Sequence, residues 1–244
     1  MHKLTLMVCP HDTAKNPDRW FRFVQYLNNH LSINVRLEIS LDFQDFRNNL
    51  DGADIVYANP ADTIYLLEQK QFLAVVRPIN LYDEVVFIAN HEIWNPGLDS
   101  LQMASVATVN SMLPTKLALK MLKDRGIVPS QLIDRSSWLG VVNSVSKNEA
   151  SFGIIYKDTY DELSPKTQEM VTPFAVSDER VIFHVINISQ NALKYKEELR
   201  KILVEMNINE AGKDVFKELK IEGWQTVTSE EIEKIKQIQI LAIS

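Results

Sequence analysis

Ala53-Asp54-Ile55-Val56-Tyr57-Ala58-Asn59-Pro60-Ala61-Asp62 ends an apolar run of strand length in Asn-Pro and passes straight into a helical pattern. A second stretch does the same. Ala104-Ser105-Val106-Ala107-Thr108-Val109-Asn110-Ser111-Met112-Leu113-Pro114-Thr115 runs into Lys116-Leu117-Ala118-Leu119-Lys120-Met121-Leu122. Pro suits the first turn of a helix, where its missing N–H would have no intrahelical partner. The free N–H groups and positive dipole end of such a helix favour anionic or strongly polar ligands. Open α/β sheets take ligands at the carboxyl ends of their strands. One such end in each half of the chain suggests a cleft between two lobes.

Working outward, strand and helix signals alternate. Leu4–Cys9 reads as a strand. Pro17–Leu31 reads as a helix capped by Asn16, with Trp20, Phe23, Val24 and Leu27 at core-facing spacing. Asn34–Ser40 reads as a strand, Asp42–Leu50 as a helix capped by Asp42, Asp54–Ala58 as a strand and Pro60–Lys70 as a helix. Phe72–Val76 and Glu84–Ala89 read as further strands. The middle repeats the plan: strand Met103–Val109, helix Pro114–Arg125 ending on Gly126, helix Ser137–Lys147, strand Ser151–Tyr156 and helix Lys157–Leu163. Val181–Ile188 reads as a strand returning to the first lobe. Helices over Gln190–Met206, Glu210–Leu219 and Ser229–Ala242 close the chain, the last amphipathic through Ile232, Ile235, Ile238 and Leu241. The expected fold class is α/β: two lobes, each a mainly parallel sheet flanked by helices. Lobe 1 is residues 1–82 plus 180–244 and lobe 2 is 83–179, with a two-stranded hinge where the chain crosses.

The 244 residues are 45% hydrophobic and 24% charged, as in an ordinary soluble globule. A net charge of -6 argues against nucleic acid as the main partner. No apolar run approaches the roughly 20 residues of a membrane helix. No secretory leader is legible, so the chain is expected to be either cytoplasmic or a mature segment. The single Cys9 excludes an intrachain disulfide and a Cys-rich metal site. The five histidines show no ligand spacing with one another, so neither a metal nor a cofactor is expected. With 7 glycines and no Gly-x-Ser-x-Gly, His-Glu-x-x-His or Walker loop, enzyme signals are poor.

The chain resembles the phosphate/phosphite/phosphonate substrate-binding proteins of ABC transporters, which have the two-lobed fold of the second periplasmic type. The likeness spans nearly the whole length. It rests on Ala53–Pro60, on Asn148-Glu149-Ala150-Ser151-Phe152-Gly153-Ile154-Ile155-Tyr156, and on Leu203–Met206, Asn209–Lys213 and Ile221-Glu222-Gly223-Trp224, in that order. The departures lie at the ligand chemistry. Where the family carries a Ser-Thr-Ser-like cluster, this chain reads Asn110-Ser111-Met112-Leu113-Pro114-Thr115. Trp138 stands where the family has a His, and Ser151 where it has an Asp.

What the resemblance implies is a binding protein rather than an enzyme. It would hold one small molecule, phosphonate-like or a diverged organic ligand, and close by hinge motion. An ABC permease or a signalling protein would read it outside the cytoplasm, with contact to a membrane only through a partner or a removed segment. The candidate ligand residues are His11, Tyr57, Asn59, Tyr82, Asn110, Ser111, Thr115, Ser137 and Trp138. Each has a plainer reading. Tyr57 and Trp138 suit a core, Asn59 a turn, and Ser111 and Thr115 a helix cap. Lys116 sits unfavourably in a first helical turn, which makes it an anion partner or merely a solvated Lys. Cys9 reads as a buried structural thiol. An enzyme acting on small acids, with His11 and Asp12 as its acid–base pair, and a regulatory effector domain of the LysR type are the alternatives on similar lobes.

Overall fold

The computed structural model describes residues 3–241, apart from the side chain of Lys15. The first elements are β1 (Leu4–Val8), α1 (Pro10–Lys15), α2 (Asp18–His30), β2 (Val35–Glu38), α3 (Phe43–Asn49), β3 (Ile55–Ala58), α4 (Pro60–Gln69) and β4 (Leu73–Pro78). There follow β5 (Val85–Ala89), β6 (Ser105–Thr108), α5 (Leu113–Asp124), β7 (Gln131–Asp134), α6 (Trp138–Ser146), β8 (Phe152–Tyr156), α7 (Lys157–Glu162), α8 (Pro165–Gln168) and β9 (Thr172–Val176). The last are β10 (Val185–Ile188), α9 (Lys196–Val204), α10 (Glu210–Leu219), β11 (Trp224–Thr226) and α11 (Ser229–Gln239).

Contacts group the chain into two compact units. Unit 1 holds residues 1–81 and 183–233, and unit 2 holds 82–182 and 234–244. The sequence reading left everything after 180 in the first lobe. Contacts instead assign the second half of α11 to unit 2, where Lys116 Nζ donates to the carbonyl of Gln239.

Unit 1 is built on a six-stranded sheet of order β11-β4-β10-β3-β1-β2. Period-two alternation decides its two faces. Leu4, Leu6, Val8, Ile55 and Tyr57 point to one side, where Trp20, Phe23 and Leu27 of α2, Leu199 and Leu203 of α9, and Val215 and Phe216 of α10 cover them. Met7, Val56 and Ala58 point to the other, against Phe46, Leu50 and Leu66. Unit 2 carries a five-stranded sheet, β7-β6-β8-β5-β9. Val85, Phe87, Val106 and Ile154 pack with Ala118, Met121 and Leu122 of α5. Val86, Ile88, Ala107 and Ile155 pack with Val141, Val142 and Val145 of α6.

The ladders are mixed, which corrects the expectation of mainly parallel sheets. β1 pairs in parallel with β2 and β3, and β6 with β7 and β8. β10 instead lies antiparallel between β3 and β4, and β5 antiparallel between β8 and β9. These two strands are the first that the chain lays down after passing from one unit to the other, so no crossover helix from a neighbouring strand sets their direction.

Several boundaries also move. Residues 10–15 form a separate short helix, between the strand and the helix that the sequence predicts on either side. The next helix starts at Asp18 with Pro17 in the cap position, although the Asn16 side chain still accepts from the Asp18 N–H at 3.1 Å. Asp42 caps α3 as expected, accepting from the Asp45 N–H at 2.8 Å. Gly126 follows α5 at φ +76°, a left-handed turn that glycine takes without strain. Only Val185–Ile188 of the expected 181–188 strand is laddered, and 190–195 is 3-10 turn rather than α-helix. β7, β9 and β11 were not foreseen: they are short edge strands with half-buried residues and no clear alternation. α11 ends at Gln239, and Ala242 lies outside the described residues.

Candidate functional site

In unit 1 the neighbouring strands β1 and β3 pair Val8 with Tyr57 and then end together. α1 and α4 start at once beyond them, each with a proline in its first turn. Cys9 donates its backbone N–H to the Tyr57 carbonyl at 2.8 Å, which fixes the two strand ends to one another. Asn59 caps α4: its Oδ1 accepts from the Asp62 N–H at 2.9 Å, and its Nδ2 donates to Asp62 Oδ2 at 2.7 Å. Asp62 also takes Arg47 Nε at 2.8 Å, and this hydrogen bond raises the Arg47 pKa above its ordinary value.

Tyr57 is buried. Its ring stacks on His184 at 5.3 Å, tilts against Trp20 at 4.8 Å and meets Trp224 edge-on at 5.9 Å. Arg19, also buried, donates from one guanidinium nitrogen to the Asp12 carbonyl at 2.7 Å and approaches Asp12 Oδ1 at 3.4 Å. His11 is half-buried. It lines an open, apolar hollow of about 340 Å³ with Pro10, Ala14, Ile39, Leu41 and Phe43.

In unit 2 the parallel strands β6 and β7 end in register, Thr108 opposite Asp134. α5 and α6 begin a few residues beyond, so two helix N-termini share one end of one sheet. The loops are tied: the Asn110 N–H donates to Asp134 Oδ1 at 2.9 Å and the Arg135 N–H to the Thr108 carbonyl at 2.9 Å. Ser137 caps α6, accepting from the Gly140 N–H at 3.2 Å. α5 has Met112 in the cap position and no side-chain cap. Ser111 is exposed, and Asn110 Oδ1 is buried without a hydrogen bond.

Thr115 is fully buried. Its hydroxyl lies 2.8 Å from that of Thr108 and donates to the Val109 carbonyl at 2.9 Å, so it braces the strand end instead of facing outward. Lys116 is not an open cation, being bound to the carbonyl end of α11. Trp138 is half-buried beside Tyr156, with ring centres 6.5 Å apart, and Leu139 is 49% exposed. Tyr82 is half-buried at the start of unit 2. The fold thus gathers His11, Tyr57 and Asn59 at the strand ends of unit 1, and Asn110, Ser111, Ser137 and Trp138 at those of unit 2. Sequence reasoning passed over Arg19 and His184. Asp12 lies across the break between α1 and α2 from Arg19, and Tyr57 is far from His184 in sequence, so no local pattern announced them.

A family model described as the periplasmic substrate-binding protein of phosphonate ABC transporters matches residues 6–232. No curated protein sequence matches. Among solved structures the chain is similar to PhnD1 from Prochlorococcus marinus in complex with methylphosphonate. They share 14% identity over 96% of each chain, with a TM-score of 0.70. It is similar to XAC2383 from Xanthomonas citri bound to chloride, at 15% identity over 97% of this chain and 95% of that one, TM-score 0.69. The periplasmic aliphatic sulphonate-binding protein SsuA of Escherichia coli gives 10% identity over 98% and 91% of the chains, TM-score 0.70. The two-lobed α/β fold of these binding proteins is the fold of this chain.

Proposed function

The chain belongs to the family of periplasmic substrate-binding proteins of phosphonate ABC transporters, and we propose that within it this member binds a small organic oxyanion: a phosphonate or sulfonate with an apolar substituent. The family consists of small-molecule-binding proteins, not enzymes. The observation that carries the proposal is the pair of helix starts, α5 and α6, at one end of the unit 2 sheet. Backbone N–H groups there offer donors and a positive potential to an oxyanion without requiring a lysine or arginine. The hydroxyl-rich cluster of the resemblance is thinned, and Met112, Trp138 and Leu139 bring apolar surface beside the donors that remain. A bare inorganic anion would gain little from that surface; an alkyl or aryl substituent would be removed from water by it.

In this reading Ser111, Ser137 and Asn110 contact the head group and Trp138 covers the substituent. His11 and Asn59 at the unit 1 strand ends, with Tyr57 in the core behind them, and Tyr82 at the start of unit 2 are further candidates for ligand contact. The location is outside the cytoplasm, as for the family. No helix among the described residues is long and apolar enough to cross a membrane. An ABC permease is the partner to which the ligand is delivered, and a signalling protein in its place is the alternative reading of the same ligand-bound state.

A thermal-shift panel on the purified chain tests the ligand class. It compares phosphate, sulfate, methylphosphonate and a series of alkyl and aryl phosphonates and sulfonates. A ligand at about 100 times its dissociation constant stabilises the folded state by roughly 2.7 kcal/mol. The expected result is a shift that grows from the inorganic ions to the substituted ones. Silence from every oxyanion would overturn the proposal.

A further inference from the structure

We propose that Cys9, Asp12 and His184 form a binding site for a divalent transition-metal cation, with Zn²⁺ as the probe. The residues come from three places that the fold of unit 1 brings together: the end of β1, the first turn of α1 and the segment entering β10. Each offers one donor atom, Cys9 Sγ, a carboxylate oxygen of Asp12 and a ring nitrogen of His184, and the three atoms lie within 4.8 Å of one another. His184 Nε2 is 3.5 Å from Asp12 Oδ2. Tetrahedral zinc, with bonds of roughly 2.0–2.3 Å, sets its ligand atoms about 3.5 Å apart. A cation therefore draws in three atoms already gathered, without moving the backbone that carries them.

Thiolate, imidazole and carboxylate are the ligand types zinc takes, and three protein ligands leave a fourth position for water. The surroundings hold each ligand in place. The Tyr57 ring stacks on His184 at 5.3 Å and fixes its plane. Asn59 Nδ2 lies 3.8 Å from Cys9 Sγ, placed to donate to a thiolate. Arg19 grips Asp12 through its carbonyl and Oδ1, while Asp12 Oδ2 is buried and accepts no hydrogen bond. Outer contacts of this kind orient metal ligands and tune them. Cys9 is 0% and His184 8% exposed, so bulk water competes little for the cation. A thiolate and a carboxylate offset the divalent ion, leaving the Arg19 guanidinium on Oδ1 as the net charge of the site, and the thiol proton leaves on binding.

The test uses the full chain, first stripped with a chelator. Titration with Co²⁺ should give a thiolate-to-metal charge-transfer band. Only Cys9 can produce it, because the chain has a single cysteine. Titration with Zn²⁺ should raise the melting temperature with one equivalent bound and release a proton. Cys9→Ser, Asp12→Asn and His184→Gln should each weaken Zn²⁺ binding by more than about 100-fold, and Asn59→Ala by about 10–100-fold, the range for outer-shell changes. Circular dichroism shows which variants fold, and the wild-type cobalt spectrum decides the matter even if none does. No thiolate band in the wild type overturns the proposal. So does Zn²⁺ affinity that survives Cys9→Ser, which would belong to surface histidines such as His30 or His91. The titration contains no oxyanion, so its failure is separate from that of the ligand assignment above.

Discussion

Each unit has one helix start with a side-chain cap and one without, yet side chains fill the strand ends of the two units differently. In unit 1 they are closed by side chains: Asn59 and Asp62 cap and brace α4, Arg47 neutralises Asp62, Arg19 holds Asp12, and Tyr57 lies among aromatic rings. In unit 2 Ser137 caps α6 and Asp134 ties the Asn110 loop, but α5 starts on Met112 with no side-chain cap, Ser111 is exposed and Trp138 is half-buried. A pre-wired polar cluster binds tightly to whatever fits it and tolerates little change. An uncapped helix start with apolar neighbours, such as that of α5, can accept new ligands after a few substitutions. Of the departures from the family resemblance, those at 110–115 and at Trp138 fall at these helix starts, whereas Ser151 lies at the other end of the sheet, before β8 and beside Ser105.

The most severe way to probe the contrast is through its glycines. A Cβ on Gly212 of unit 1 would sit 1.7 Å from the backbone carbonyl of Met206, whereas one on Gly153 of unit 2 would meet side-chain carbons of Val141 and Ile88 at 2.8 and 2.9 Å. Gly212→Ala should cost about 4 kcal/mol or more, because backbone must move. Gly153→Ala should cost about 1–3 kcal/mol, the range for overpacking a core. Chemical denaturation measures both, and equal losses would erase the distinction between a rigid and a yielding neighbour.

A smaller effect separates brace from donor within unit 2. Thr115→Val removes a hydroxyl bonded at the strand end and should cost about 1–3 kcal/mol of stability. Ser111→Ala should leave stability within about 0.5 kcal/mol while weakening oxyanion binding, read by calorimetry. The reverse pattern would place the ligand donors inside and not at the surface.

The smallest expected effect concerns Glu231 of unit 1. Burial pushes its carboxyl up, but the Thr228 N–H and the Arg77 guanidinium, 2.8 Å away, outweigh that and leave it below its ordinary 4.5. A lowered folded-state pKa stabilises above the unfolded value and is lost as pH falls through the folded one. Wild type should therefore lose stability relative to Glu231→Gln as pH drops below about 4.5. Parallel melting curves for the two from pH 6 to pH 3 would sink this account.

Much of this architecture was legible because it is periodic. β1, β3 and β5 are runs of buried apolar residues, α2 shows its core stripe, and Asp42 and Asn59 stand where caps stand. What stayed illegible depends on partners far along the chain. β7 and β11 are short and half-exposed, and become strands only because β6 and β4 offer edges. Thr115 looked like a cap and is a brace, since its hydroxyl meets Thr108 from the preceding strand. The gathering of Cys9, Asp12 and His184 has no spacing signature, because β10 enters the first sheet from the far side of unit 2's sequence.

That insertion of β10 sets an order in time. Synthesis delivers the chain from its N-terminus, and domains fold as units when they are complete. Every strand of the second sheet has been made once residue 176 emerges, while the first sheet still lacks the strand that joins β3 to β4. Until Val185–Ile188 arrives, β3 and β4 each carry an unpaired apolar edge, the kind of surface that seeks other chains. The part of the molecule translated first is thus the part that must wait longest, and it is there that a nascent chain would most need a chaperone.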